Sequence, residues 1–170
     1  MTIMVRKASR LVALDDIVSS AFDDEELLIS PVLRGHLVVE ALLVELILTS
    51  EHDENSVWRW SFPKKTEFAA DNALMPAQLK KALDLLNDFR NDIAHIFDHQ
   101  VSAEQVHKLA KDLEHHGVEF SDSLGNRPFE DVVADYDGIC GMLYELLWCL
   151  SFEVAQCLLS AGGRDLFSEE

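Results

Sequence analysis

The sequence predicts an all-α protein: a helical bundle with two long apolar helices and shorter helices flanking them. Apolar residues recur at three- and four-residue spacing along most of the chain. Only four prolines and seven glycines interrupt 170 residues, too few for many short strands joined by turns. Pro31, Pro63, Pro76 and Pro128 each precede an apolar run, where a helix accepts proline in its first turn. With 48% apolar and 26% charged residues, the chain fits one domain, residues 1–170, with a core of its own.

The elements follow in order. From Arg6 to Phe22, Leu11, Leu14, Ile17, Val18 and Phe22 keep helical spacing, and the acidic run Asp23 to Glu26 marks a surface connection. Ser30 and Pro31 read as N-cap and first helical residue of a central helix reaching about Ser50. The stretch "EHDENSVWRWSFP" reads as a polar loop, after which Pro63 opens a short helix through Ala73. Pro76 opens another, with Leu79, Ala82, Leu83, Leu86, Phe89 and Ile93 on its core side, ending near Ala94. Ser102 and Gln105 form a capping-box pattern for a helix that stops at Gly117. Residues 118–127 read as loop with a short strand at "VEF". Pro128, with Glu130 and Asp131 in the first turn, begins one last long helix running to Gly162–Gly163.

Charge and cysteines narrow the function classes. Fourteen basic against thirty-one acidic residues give a formal charge of −17, which repels nucleic acid at long range and favours basic protein partners. Cys140, Cys149 and Cys157 lack metal-ligand spacing and read as small core residues in a reducing, cytoplasmic setting. The runs Val32 to Leu48 and Ile139 to Leu159 are apolar enough to span a membrane. Arg34, His36, Glu40, Glu45, Glu145 and Glu153 interrupt them, so both read as buried helices and no membrane is expected.

The stretch "LLNDFRNDIAHIF" carries the chemistry. Asn91 and His95 lie four apart on one helix face, and Arg90 lies about 140° from His95 at about 100° per residue. Arg90, Asn91, Asp92 and His95 thus edge a buried stripe. Read from spacing alone, they also suit a solvated helix end, with His95 favoured by the dipole.

"RNDIAH" resembles the R-x4-6-H signature of the HEPN superfamily. "RGHLVVEALLVELI" is similar to that superfamily's long apolar helix with its embedded Glu. "SFPKKTEFAADNALMPAQLKKALDLLNDFRNDIAH" resembles the segment before the signature in the mannitol-repressor-like branch. The resemblance covers residues 30–100 well and the last helix loosely. It implies a helical domain, often a homodimer with the signature helices facing each other. Many catalytic members are metal-independent endoribonucleases, so no cofactor or metal is expected. Under that resemblance His95 is the acid or base for the 2′-OH and 5′-oxygen protons. Arg90 stabilises the charged phosphate, and Asn91 orients one of them. Other members are non-catalytic dimers that regulate or adapt through protein contact. The first expectation is the ribonuclease, as the toxin of a toxin–antitoxin or defence pair, through its intact Arg90, Asn91 and His95. RNA is then the substrate and an antitoxin or regulatory protein the partner; the alternative is the adaptor. The adaptor is favoured by the chain's acidity and by "HIF", which puts Phe97 where several toxin members carry Tyr.

Weaker features surround this site. Glu40 or Glu45 could pair with Arg90 as a buried carboxylate, and Asp92 and Glu40 could support the site. Trp58, Arg59, Trp60, Lys64 and Lys65 form an aromatic and basic cluster, in which Arg59, Lys64 and Lys65 are candidate RNA contacts against a packed loop with exposed lysines. Arg6, Lys7 and Arg10 make a second basic edge. His115 and His116 read as a solvated helix end rather than a metal site.

Overall fold

A computed structural model describes residues 29–95 and 101–167; the helix read at residues 6–22 lies outside them, as do Ile96 and Phe97. The described residues form seven helices and no strand: α1 (Ile29–Leu48), α2 (Glu54–Trp58), α3 (Phe62–Asp71), α4 (Ala77–His95), α5 (Ala103–His115), α6 (Phe129–Asp135) and α7 (Ile139–Ser160). The all-α bundle is therefore as expected.

α1 and α7 make the largest interface in the bundle, and α4 and α5 complete a ring of contacts α1–α4–α5–α7. Sequence explains the closeness of the central pair. At Gly35 a Cβ would overlap the methyls of Leu147, so glycine lets the two axes approach. Val39, Leu42, Leu43 and Leu46 of α1 and Leu146, Leu147, Leu150 and Val154 of α7 fill the space between and around them at near-zero exposure. α7 is long and apolar enough to cross a membrane by length and composition, but over half of its most apolar window is buried in the bundle.

Several boundaries differ from expectation. α1 already includes Ile29, so Ser30 lies inside the helix and is not its cap. The tryptophan loop contains a helix, α2, whose start is fixed by the Asp53 carboxylate accepting from the Ser56 amide at 2.8 Å. α3 is capped by Ser61 with Pro63 in its first turn. Ser102 and Gln105 satisfy each other's backbone amides, so the capping box exists, and Gly117 ends that region at φ +87°. No strand forms at "VEF"; residues 118–120 are loop.

The largest correction is in the last segment, which is two helices and not one. Asp137 and Gly138 take left-handed φ of 52° and 89° and end α6. The turn also needs Gly141, where a Cβ would strike the carbonyl oxygen of Tyr136. Cys140 sits just past this break and is exposed, so only Cys149 and the half-buried Cys157 are core-side thiols.

Candidate functional site

At about 100° per residue, Asp84, Asn87, Asn91 and His95 fall on one stripe of α4. The stripe faces α1 and α3, and it is not a solvated edge along its length. Asp84 accepts from the Thr66 hydroxyl of α3 at 3.1 Å and from Lys80 at 2.6 Å. One turn on, Asn87 Oδ1 meets His36 Nε2 of α1 at 3.3 Å. A further turn on, Arg90 Nη1 donates to Asn91 Oδ1 at 3.0 Å. A polar seam therefore runs up α4 toward its last residue, His95. The side chain of His95 lies outside the described part.

His36 is the residue the sequence reading left out of this site. Its ring is 4% exposed and packs 4.3 Å from the Phe62 ring. Burial pushes its pKa below the usual histidine value, and the nearby Arg90 and Lys65 charges act the same way, against Glu40 and the Asn87 bond. The signal was present: His36 and Glu40 are four apart in a largely apolar helix, which places two polar groups on one face.

Glu40 and Glu45 do not pair with Arg90. Lys65 Nζ donates to Glu40 Oε1 at 2.6 Å and to the Trp60 carbonyl at 2.7 Å, with no exposed side-chain surface. Glu45 accepts both Nε and Nη2 of Arg164, at 2.7 and 2.9 Å. The reason is reach: α3 crosses beside Glu40, and the chain after α7 folds back over Glu45. Arg90 is half-buried, and its Nε is buried without a hydrogen-bond partner.

The candidate RNA contacts divide. Lys65 is a core residue whose ammonium is enclosed by Glu40 and the Trp60 carbonyl, so it cannot contact RNA as the sequence led one to expect. Arg59 is exposed at the end of α2, and Lys64 lies 4.5 Å from the Trp60 ring centroid. Asp92 is exposed beside the seam. A surface cavity of about 360 Å³ opens next to the seam, lined by Pro63, Glu67, Lys80, Asp84, Asn87 and Asp88. Three carboxylates against one lysine give it the wrong sign for a phosphate. His115 is exposed at the helix end, and the described residues gather no His, Cys, Asp or Glu group suited to a metal ion.

The arrangement can hold one oriented guanidinium and present it at the end of α4. No family model matches the sequence, and neither a curated protein nor a solved structure matches it.

Proposed function

We propose that this chain is a cytoplasmic, HEPN-like module that works as a homodimer through protein contacts, as a regulator or adaptor in the manner of the mannitol-repressor-like branch. The observation that carries this reading is the burial of Lys65 against Glu40. An RNA site needs free cations along the substrate path. Here the lysines along the seam are consumed: Lys65 by Glu40 and Lys80 by Asp84. The remaining surface of a −17 chain repels a polyanion and suits a basic protein. Leu37, at 56% the most exposed large apolar residue among those described, follows His36 on α1, and His36 lies near Arg90 at that end of the α1–α4 pair. An exposed leucine beside a polar row is what a buried, hydrated protein seam needs.

A second reading, a metal-independent endoribonuclease of a toxin–antitoxin or defence pair, is favoured by the Arg90–Asn91 bond, which orients a guanidinium. In that reading His95 moves the protons, and a two-fold partner supplies the second His and Arg. The test is incubation of the full chain with an RNA panel in EDTA, alongside Arg90→Ala and His95→Ala. The expected outcome is no cleavage by any of the three. Cleavage that leaves 2′,3′-cyclic phosphate ends and is lost in both variants would overturn the regulator reading.

A further inference from the structure

The outer face of α7 is the second place where apolar surface is left open. Phe152 and Leu159 lie seven residues apart on one side of the helix and are each 38% exposed. Phe167, 37% exposed, folds back to stack on Phe152 with ring centroids 5.1 Å apart. Trp148, half-buried, continues the stripe one turn earlier. Large aromatic side chains gathered on one strip are the material of an interface centre.

An acidic border runs beside this stripe. The Ser121 amide donates to Glu145 Oε1 at 3.2 Å, which holds the loop after α5 against α7. Glu119 on that loop faces Glu153 closely enough that burial and the Glu119 charge raise the Glu153 carboxyl above its usual range. No described cation pairs with either. Glu119 also lines a surface cavity of about 460 Å³ with Glu114, Ser123 and Asn126, and no lysine, arginine or histidine lines it. The Asn126 amide donates to one Glu114 oxygen, while the other is buried without a hydrogen-bond partner. Two like charges side by side and an acceptor left unfilled call for cations from outside. A second copy of the same face would bring acid against acid.

We propose that this face binds an amphipathic helix of a partner protein. The partner's apolar stripe lies on Trp148, Phe152, Leu159 and Phe167, and its lysines or arginines meet Glu153, Glu119 and the cavity that Glu119 lines. Apolar anchors fix the helix on the stripe, and the flanking charges set its register and choose a basic partner over an acidic one. The proposal rests on the protein-contact reading for the kind of partner, and it does not use the α1 seam.

The probe is a fluorescent peptide of about five helical turns, with a leucine stripe flanked by lysines. A peptide with glutamates in place of the lysines is its control, and binding to the full chain is followed by anisotropy. The native protein should bind the lysine peptide and not the glutamate peptide. Phe152→Ser with Leu159→Ser should weaken binding at least about tenfold. Glu119→Gln with Glu153→Gln, which leaves the apolar face intact, should weaken it about tenfold at low salt and remove most of the salt dependence. Leu37→Ser should leave it unchanged. Equal affinity in the native protein and the Phe152–Leu159 variant overturns the proposal. A loss confined to Leu37→Ser also overturns it and leaves the protein-contact reading standing, because the peptide then binds at α1. Self-association in sedimentation equilibrium that disappears with Phe152→Ser and Leu159→Ser overturns it too, since the face is then filled by a second copy.

Discussion

Lys65 shows how one residue changes the functional reading. Its sequence neighbours, Trp60 and Lys64, place it in a basic and aromatic cluster, yet its ammonium is fully enclosed with Glu40 and the Trp60 carbonyl. Burying an ion pair gives little net stability, but removing one partner leaves an uncompensated charge. Glu40→Ala should therefore cost about 3–5 kcal/mol. Lys65→Met, which removes the charge and keeps the volume, should cost far less, even though it leaves Glu40 with its 22% exposed side chain. Urea unfolding of both variants checks this. Equal losses would mean that the ammonium is hydrated rather than enclosed. At Arg90 and Asn91 the residue types are legible as a polar edge, while the bond between their side chains is set by the fold.

At the scale of elements, caps and periodicity located most helices. Pro63 and Pro76 stand at the starts of α3 and α4, and the Ser102–Gln105 box opens α5. The failure at residues 136–138 has a definite cause. "YDGICG" lies in a run apolar enough to read as one helix, yet two left-handed residues and a backbone approach at Gly141 split it. Gly141→Ala should push the new methyl into the Tyr136 carbonyl and destabilise the protein by about 1–3 kcal/mol. Since this turn sets the direction of α6 against α7, the loss should appear in thermal unfolding with little change in helical circular dichroism. A variant as stable as the native protein would show that the turn closes without the close approach.

For the whole molecule, charge and open apolar surface decide association. Two chains of −17 repel, so a dimer must bury apolar surface, for which Leu37 is exposed and suitably placed on α1. Between about 0.1 and 1 M salt the Debye length falls from about 10 to about 3 Å. The proposed dimer should tighten over that range, and Leu37→Asp should weaken it at least about tenfold while leaving the monomer fold intact. Sedimentation equilibrium measures both effects. A chain that stays monomeric at every salt concentration would remove the dimer seam and any composite site built on it.

The sequence by itself determined the helical class, the approximate extent of α1, α3, α4 and α5, and the polar edge at Arg90, Asn91 and His95. These follow from period, caps and prolines, which act over one or two turns. Only the tertiary structure decided which charges meet. Glu40 finds Lys65 across 25 residues and Glu45 finds Arg164 across 119, while His36 finds Asn87 across 51. Such pairings depend on how helices cross. With fourteen basic against thirty-one acidic residues, packing decides which acids receive a cation.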